Sequence, residues 1–315
     1  MKKNYFKVLR AGINTTFQDL GRNNLYHIGI PFSGAMDNRN FKIANSLVSN
    51  KKNTPTIEFA YQGPLLQFYG EKIYIAITGD VNFKILRKGT VSEEGVSYKT
   101  HCLMNGDQID ILSTNKSVYG YLAVHGGFDT ELFWESCSTN TKAKIGANNG
   151  EKLQNGNQLS VFESKKNIFN KKINYINTKI EYIRVIKGTN YDYFPQEEKN
   201  IFFSKNFRVS KFTDRMGMRL EGVQIKNIIK TNIKSEGLIK GVIQVPPDGN
   251  PIIMLSDHGT IGGYPKIGVV ISADYDKLVQ LPTGSKIRFK LAELHEAEQL
   301  YKFYNMESEN LLNQK

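Results

Sequence analysis

Short runs of apolar and β-branched residues, separated by turn formers, dominate the hydrophobic pattern of this chain. Runs of about four to eight such residues, bounded by Gly, Pro, Asn or Asp, are typical of β-strands. The pattern predicts strands at residues 73–78, 82–86, 119–124, 182–187, 251–255 and 267–272. The chain is therefore predicted to be mainly β.

Two segments instead show the three- to four-residue spacing of apolar positions that predicts an α-helix. The first follows Asp37, whose side chain can cap a helix N-terminus. Its apolar positions are Phe41, Ala44, Leu47 and Val48. The second follows Lys290, and we expect it to pack on the body of the protein through one face. That face comprises Leu294, Ala297, Leu300, Tyr301 and Tyr304.

A chain of 315 residues exceeds one typical domain of about 100–200 residues. The stretch from 164 to 179 has no clear periodicity and is rich in Lys and Asn, which is typical of a boundary. We therefore predict a β-rich lobe at 1–165, a linker at 166–179, and a β-rich lobe with a C-terminal helix at 180–315.

The chain is basic, with Lys+Arg 42 against Asp+Glu 30 and a formal net charge of +12. Such a charge can indicate a nucleic-acid partner. Here the lysines are scattered beside Asn and Ile, as in "NKKINYINTKI", and no Arg-and-aromatic stripe is present. We interpret the charge as a compositional bias and predict no nucleic-acid partner.

The cysteines, Cys102 and Cys137, form no CxxC pair, which argues against a disulfide framework and a zinc ribbon. The start of the sequence has no apolar signal-peptide core, and no apolar run is long enough for a membrane span. The histidines lie far apart in the sequence, so no metal site is predicted. These features predict a cytoplasmic protein without a membrane partner.

Several common catalytic motifs are absent from the sequence. No Gly-Lys dipeptide occurs, so there is no Walker A phosphate loop, and there is no G-x-S-x-G or H-E-x-x-H. No Met-Lys-Met is present, so any biotin would be carried by another chain.

Polar residues concentrate in four stretches, of which the first runs from Thr15 to Asp37. Glycines in this stretch allow the backbone to approach a ligand closely. An Asp three residues before an Arg fits either a turn-stabilising ion pair or a binding site, and the sequence leaves both open. The candidate binding residues here are Gln18, Asp19, Arg22, Ser33, Gly34 and Asp37.

The second and third stretches are "FTDRMGMRLEG" and "QVPPDGNP". Arg215 in the second offers a planar fork that suits a carboxylate or phosphate, although a surface pair with Asp214 is the alternative. Asp248 in the third is interpreted as a turn residue. Gln244 is a candidate binding residue, because its side-chain amide can both donate and accept a hydrogen bond with a ureido or lactam group.

The fourth stretch is "SDHGTIGGYPKIG", from Ser256 to Gly268. Adjacent side chains of a strand point to opposite faces, so Asp257 and His258 are not expected to pair with each other. The candidate catalytic residues are Asp257, His258, Tyr264 and Lys266. The candidate ligand contacts are Thr260, Gly262 and Gly263.

Together these stretches resemble the biotin-dependent carboxyltransferase family, also called allophanate hydrolase subunit 2 or the 5-oxoprolinase C subunit, which includes an antagonist of a sporulation-kinase inhibitor. The resemblance covers nearly the whole chain. It rests on "TTFQDLGR", "GIPFSGAMD", "ANSLVSN", "IEFAYQGPLLQF", "LAVHGGFD", "DRMGMRLEG" and "SEGLIKGVIQVPPDGNPIIMLSDHGTIGGYPKI". It implies two cyclophilin-like β-barrel lobes with a few short helices.

The resemblance also implies partners. In 5-oxoprolinase these are an allophanate hydrolase subunit 1-type protein (the B subunit) and a barrel-type protein (the A subunit), and the complex uses ATP to open 5-oxoproline to glutamate. In urea carboxylase the corresponding region moves CO2 from carboxybiotin to urea. This sequence departs from the family pattern at Asn23, Cys137 and Glu151, which puts anion contacts at the last two positions in doubt.

Biotin, urea and 5-oxoproline share a planar N–C=O unit. Its reactions need positive or N–H donors at the oxygen and a group that handles the N–H proton. Arg215 and Lys266 suit the first task, and Asp257, His258 and Tyr264 suit the second. We expect the Gly259–Gly263 loop and the Ser33–Gly34 turn to line one pocket.

Three functions follow from the resemblance. We favour the ATP-dependent 5-oxoprolinase subunit, since no biotin carrier is fused to the chain. The alternatives are a carboxyltransferase component with biotin supplied in trans, and a non-catalytic regulator that binds a kinase-inhibitor-like protein.

Overall fold

The computed structural model describes residues 4–313 apart from 89, 164–167, 169, 176–180 and 228–232. The chain forms two compact units, each assembled from separate segments. Unit 1 comprises Met1–Arg22, Ser33–Ile176 and Ser308–Lys315. Unit 2 comprises Asn23–Phe32 and Asn177–Glu307.

The described part of unit 1 contains two antiparallel sheets, one whole α-helix and the end of another. Its strands are β1 (Tyr5–Arg10), β2 (Thr16–Gln18), β3 (Thr56–Ala60), β4 (Leu65–Tyr69), β5 (Lys72–Thr78), β6 (Val81–Arg87), β7 (Val91–Glu94), β8 (Thr100–Met104), β9 (Gln108–Thr114), β10 (Tyr119–Val124) and β11 (Gln158–Ser160). The six-stranded sheet has the order β11-β1-β4-β9-β6-β7, and the five-stranded sheet has the order β2-β3-β10-β5-β8.

Alternating apolar positions of these strands form the core of unit 1. In β1, Phe6 and Val8 are buried, and in the neighbouring β4, Leu66 and Phe68 are buried. Phe6 and Phe68 are register partners, and their ring centroids lie 5.2 Å apart. The period-two pattern therefore directs one face of each strand into the core.

Helix α1 (Asn38–Leu47) also belongs to unit 1. The Asp37 carboxylate accepts a hydrogen bond from the Asn40 backbone N–H, so Asp37 caps the helix as the sequence predicted. Phe41, Ala44 and Leu47 are fully buried. The predicted helix and its apolar face are confirmed.

Unit 2 is built around an eight-stranded sheet of order β20-β13-β14-β17-β16-β19-β12-β21, beside a two-stranded ribbon, β15-β18. Its strands are β12 (Ile183–Lys187), β13 (Phe207–Val209), β14 (Gly217–Glu221), β15 (Glu236–Gly237), β16 (Val242–Gln244), β17 (Ile252–Met254), β18 (Ile261–Gly262), β19 (Lys266–Val270), β20 (Lys286–Ile287) and β21 (Phe289–Leu291). The remaining helices are α2 (Gln196–Ser204), α3 (Ser272–Val279) and α4 (Leu294–Leu312).

The eight-stranded sheet is nearly closed into a barrel. Its two edge strands, β20 and β21, are separated in the chain only by Arg288, so the sheet must curve until its edges come together. Phe202 of α2 stacks on Phe289 of β21 with ring centroids 4.5 Å apart. The helix therefore packs beside the sheet edge. The predicted mainly β fold with few helices is confirmed, as are all six predicted strands within about two residues at each end.

The C-terminal helix forms where the sequence predicted it, but its apolar face is only partly covered. Leu294 is 62% exposed and Tyr301 is 45% exposed. Ala297, Leu300 and Tyr304 are half-buried. The expectation that the whole face packs on the body is therefore wrong for Leu294 and Tyr301. Helical spacing shows that apolar side chains share one face of a helix, but it does not show whether another segment covers that face.

Each unit combines separate segments of the chain, whereas each predicted lobe is one continuous segment. Half of the predicted linker, namely 166–167, 169 and 176–179, lies outside the described residues, whereas 170–175 belongs to unit 1. There the buried Ile173 donates its backbone N–H to the Tyr98 carbonyl at 2.9 Å.

None of the helices in the described ranges combines the length and apolarity needed to cross a bilayer.

Candidate functional site

In unit 1, the predicted site residues surround the buried carboxylate of Asp19. Asp19 accepts hydrogen bonds from the hydroxyls of Ser136 at 2.7 Å and Ser138 at 2.6 Å. It also accepts from the backbone N–H groups of Gly21 and Cys137, both at 2.8 Å. Because these four donors converge on one carboxylate, Asp19 braces the loop at 136–138.

The neighbours of Asp19 bind the same loop. Gln18 donates its side-chain amide to the Thr139 carbonyl at 2.9 Å, and Arg22 donates to the Ser138 carbonyl at 2.6 Å. Ser33 accepts from the Asn140 amide at 3.2 Å. The sequence left Asp19 and Arg22 open between scaffold and site. Their buried contacts with the 136–140 segment support the scaffold alternative, and a role in binding stays a prediction.

Gly34 and Asp37 continue this network toward α1. Gly34 has φ +85°, and a Cβ there would lie 2.8 Å from the Leu20 carbonyl carbon, so the chain needs glycine at this position. The carboxylate of Glu58 accepts from the Met36 N–H and the Tyr121 hydroxyl, both at 2.8 Å. Asp37 itself is occupied as a helix cap, so the structure gives it a structural role.

The positions that depart from the family pattern take part in local structure. Burial raises the pKa of the Cys137 thiol, which is therefore a neutral core group. Glu151 forms an exposed ion pair with Lys144. Asn23 is exposed and lies in unit 2.

In unit 2, Arg215 and Asp257 are bound to each other. Arg215 contacts the Asp257 carboxylate through two nitrogens, at 2.8 and 3.1 Å. Both side chains are largely buried, with 16% and 4% exposed. The sequence assigned Asp257 to proton transfer and Arg215 to substrate binding. The guanidinium fork contacts both carboxylate oxygens, so Asp257 orients Arg215 in this structure, and its role in proton transfer stays a prediction.

His258 is buried and contacts Tyr26, a residue that the sequence analysis did not select. The imidazole Nδ1 lies 2.6 Å from the Gly259 carbonyl, and Nε2 lies 3.1 Å from the Tyr26 hydroxyl. The same hydroxyl lies 2.5 Å from the Leu238 carbonyl. Burial lowers the pKa of His258 and raises the pKa of Tyr26 to about 12, so both are neutral at pH 7.

Lys266 is also buried, with 3% of its side chain exposed. Its Nζ lies 2.7 Å from Glu236 Oε2, and its backbone N–H donates to Asn190 Oδ1 at 3.1 Å. The hydrogen bond from Lys266 lowers the pKa of the Glu236 carboxyl. A buried ammonium so placed is suited to binding an anion or a developing oxyanion.

Gln244 lies beside Lys266, since the two are register partners in β16 and β19. Its amide nitrogen donates to the Tyr264 carbonyl at 3.2 Å. A Cβ on Gly262 would lie 2.7 Å from that nitrogen, so glycine lets the loop pass against the amide. Gln244 therefore holds the 256–266 loop. Thr260 and Gly263 are half-buried in this loop, and Tyr264 is 37% exposed.

The structure thus brings together Lys266, Gln244 and Gly262 around one segment of unit 2. Ser33 and Gly34 belong to unit 1, and the Gly259–Gly263 loop belongs to unit 2, so the pocket expected from both stays a prediction. Tyr26, Asn190 and Glu236 are not among the residues that the sequence predicted for the site. Tyr26 and Glu236 lie within or beside stretches that carried the family resemblance, which is the one signal that could have selected them.

The chemistry available in unit 2 is that of anion binding and neutral hydrogen bonding. Lys266 supplies a positive charge, and His258 and Tyr26 supply neutral donors or acceptors. Among the described side chains, no group of three or more His, Cys, Asp or Glu is arranged to hold a metal ion.

Comparisons with known proteins show the family of this chain. A family model described as "Carboxyltransferase domain, subdomain A and B" matches residues 28–291. The chain is 33% identical to the C subunit of 5-oxoprolinase from Escherichia coli (strain K12) over 292 residues, which cover 92% of each chain. It is also 33% identical to the C subunit of 5-oxoprolinase from Haemophilus influenzae over 293 residues, which cover 93% of each.

A solved structure has a similar fold. The crystal structure of the Kluyveromyces lactis urea carboxylase matches with a TM-score of 0.88 and 26% identity, over 99% of this chain and 29% of that one. Since the family model matches most of the sequence and the two 5-oxoprolinase relatives align over nearly their full length, the chain belongs to the carboxyltransferase domain family, subdomains A and B.

Proposed function

We propose that this chain is the C subunit of an ATP-dependent 5-oxoprolinase, which opens 5-oxo-L-proline to L-glutamate. The observation that carries the proposal is the nearly end-to-end match with two proteins that bear this name, at 33% identity over 92% and 93% of their lengths. By contrast, the chain covers 29% of the matched urea carboxylase. The match over the whole length of the two relatives therefore favours their role over that of the longer enzyme.

The residues of unit 2 are consistent with this reaction. 5-Oxoproline is an organic anion, and its lactam oxygen gains negative charge as the ring opens, so a buried cation suits either its binding or its reaction. Lys266 is a buried ammonium, and Gln244 holds the neighbouring loop in place. In this role Lys266 acts on the substrate, while Gln244, Arg215 and Asp257 act as positioning residues.

The two relatives are C subunits of 5-oxoprolinase, so the proposed activity requires partner subunits. We propose that these are an allophanate hydrolase subunit 1-type protein (the B subunit) and a barrel-type protein (the A subunit). ATP is then a cofactor of the assembled complex.

One specific observation favours a second candidate. The TM-score of 0.88 with a urea carboxylase supports a carboxyltransferase that moves CO2 from carboxybiotin to an amide-like acceptor. Such an activity needs biotin on another chain.

A reconstitution experiment tests the proposal. The chain is purified together with the A and B subunits, and glutamate formation from 5-oxoproline is measured with and without ATP. The proposal predicts formation that requires both ATP and this chain. An inactive but fully assembled complex would contradict it, and transfer from added carboxybiotin would then support the second candidate.

A further inference from the structure

The ion pair between Lys266 and Glu236 is asymmetric. Lys266 is 3% exposed, whereas Glu236 is 44% exposed. Burying an ammonium costs free energy unless an anion and hydrogen bonds compensate it. Lys266 therefore needs a negative partner, and the partner it has is accessible from solvent.

The groups that surround the carboxylate of Glu236 are fixed to the eight-stranded sheet. Lys266 lies in β19, between β16 and β12. Asn190 is 4% exposed, and it both accepts from the Lys266 N–H at 3.1 Å and donates its own N–H to the Lys266 carbonyl at 3.3 Å. Thr189 Oγ1 donates to Asn190 Oδ1 at 3.4 Å, and after the hydrogen bond from Lys266 these two side chains also lower the pKa of the Glu236 carboxyl. Three polar side chains thus converge on one carboxylate from the sheet side.

The carboxylate itself comes from a much smaller element. Glu236 lies in β15, which pairs only with β18 in a ribbon of two-residue strands. A ribbon this short is marginal by itself, because it forms few hydrogen bonds and buries little apolar surface. Ile261 in the ribbon is 65% exposed. The donors therefore belong to the larger sheet, and the acceptor belongs to the smaller element.

We propose that Lys266, Asn190 and Thr189 form a binding site for the carboxylate of a small organic acid, and that Glu236 fills this site when no acid is bound. Exchange of one carboxylate for another leaves the charge around Lys266 unchanged. The buried ammonium is then compensated in both states, so the exchange requires no unpaired charge. Glu236 acts as an internal competitor that an acid must displace.

The inference deepens the proposed function, because 5-oxoproline carries a carboxylate beside its lactam. Only the identity of the acid rests on the proposed function. The carboxylate site itself rests on the contacts of Lys266 and Glu236. Urea has no carboxylate and would not use this site.

The test uses the full-length chain and three probes of similar size. 5-Oxoproline has a lactam and a carboxylate, 2-pyrrolidinone has the lactam alone, and cyclopentanecarboxylate has the carboxylate alone. Binding is measured by titration calorimetry for the unmodified chain and for Glu236→Gln. The matched control is Glu93→Gln, which removes a half-exposed carboxylate from Arg87 in unit 1 (3.0 Å, 50% exposed).

We expect Glu236→Gln to bind both carboxylates at least about tenfold more tightly than the unmodified chain, because the competing charge is gone. Glu93→Gln should bind the two carboxylates like the unmodified chain. 2-Pyrrolidinone should bind to none of the three proteins. Adding Lys266→Met to Glu236→Gln should abolish the gain. Equal affinities of Glu236→Gln and the unmodified chain would overturn the inference.

A second measurement needs no variant. At saturation with 5-oxoproline, Glu236 loses its hydrogen bond from Lys266, so its carboxyl pKa, followed by carbon NMR, should rise toward that of a solvated glutamate. An unchanged Glu236 signal at saturation would overturn the inference. Tight binding of cyclopentanecarboxylate without any preference for 5-oxoproline would keep the carboxylate site and contradict the proposed substrate.

Discussion

Arg215 and Asp257 form a two-point ion pair, with Nε 2.8 Å from Oδ2 and Nη2 3.1 Å from Oδ1. The Asp257 backbone N–H also donates to the Arg215 carbonyl at 2.9 Å. Two residues that the sequence assigned to separate tasks are therefore partners. The pair connects the end of the loop before β14 to the start of the 256–266 loop.

Replacing Arg215 by Ala leaves a nearly buried carboxylate without its guanidinium. We expect the free energy of unfolding to fall by about 3 kcal/mol, measured by urea denaturation. Arg215→Lys keeps the charge but has no planar fork, so its loss should be smaller. An Arg215→Ala protein as stable as the unmodified chain would show that the pair is not a structural element.

Asp19→Asn tests the network of unit 1. The amide nitrogen of Asn cannot accept hydrogen bonds, so at least one of the donors at Asp19 loses its acceptor. We expect a loss of about 3 kcal/mol by the same measurement. The control is Asp110→Asn, which weakens a more exposed pair with Arg10 (2.8 Å) and should cost about 1 kcal/mol or less. Equal losses in the two variants would contradict a special role for Asp19.

Gly34→Ala separates close packing from backbone conformation. A Cβ at Gly34 would lie 2.8 Å from the Leu20 carbonyl carbon, whereas one at Gly106 meets nothing within 4 Å, and the two φ values are +85° and +87°. Gly106→Ala should cost about 1 kcal/mol, the conformational cost alone. Gly34→Ala should cost about 2 kcal/mol more, because backbone atoms must shift. Thermal or urea unfolding measures both, and similar losses would contradict the close approach.

The buried His258 predicts a pH dependence of stability. Burial lowers its pKa in the folded state below the value of about 6.5 in the unfolded chain. As pH falls through 6.5, the unfolded chain binds a proton that the folded chain does not, so stability decreases until the folded pKa is passed. The charged neighbours of His258 are Lys240, which lowers the pKa further, and Asp257, which raises it.

His258→Gln should therefore flatten the fall in stability between about pH 7.5 and 5, measured by urea denaturation at each pH. The fall should not vanish, because burial also lowers the pKa of His101. His295→Gln, which changes an exposed residue of α4, should leave the slope unchanged. An unchanged slope in His258→Gln would show that His258 does not titrate as the structure implies.

Local patterns predicted the elements of this fold better than its assembly. Each predicted strand and both predicted helices depend on the period of their own residues, which the sequence displays directly. Contacts between distant segments decide which side of α4 is exposed. They also decide that residues 23–32 belong to unit 2. Periodicity carries no information about such contacts.

The candidate site shows the same limit. The polar loop at 256–268 was correctly recognised as a dense polar segment, but its partners were not found. Tyr26 lies 232 positions before His258, and Glu236 lies 30 positions before Lys266. The guanidinium partner of Asp257 lies 42 positions away, and the sequence alone does not show that the two side chains meet. Residue type identified the chemistry, and only the folded arrangement identified the pairs.

The most direct test of the central proposal is glutamate formation from 5-oxoproline and ATP by the complex assembled with Lys266→Ala. Removal of Lys266 leaves Glu236, which is 44% exposed and can be solvated, so the variant should fold and assemble. We expect its turnover to fall by about a hundredfold or more, while Arg219→Ala, at an exposed cation of β14, stays near the unmodified rate. Unmodified turnover in the assembled Lys266→Ala complex would contradict the assignment of Lys266 to the site.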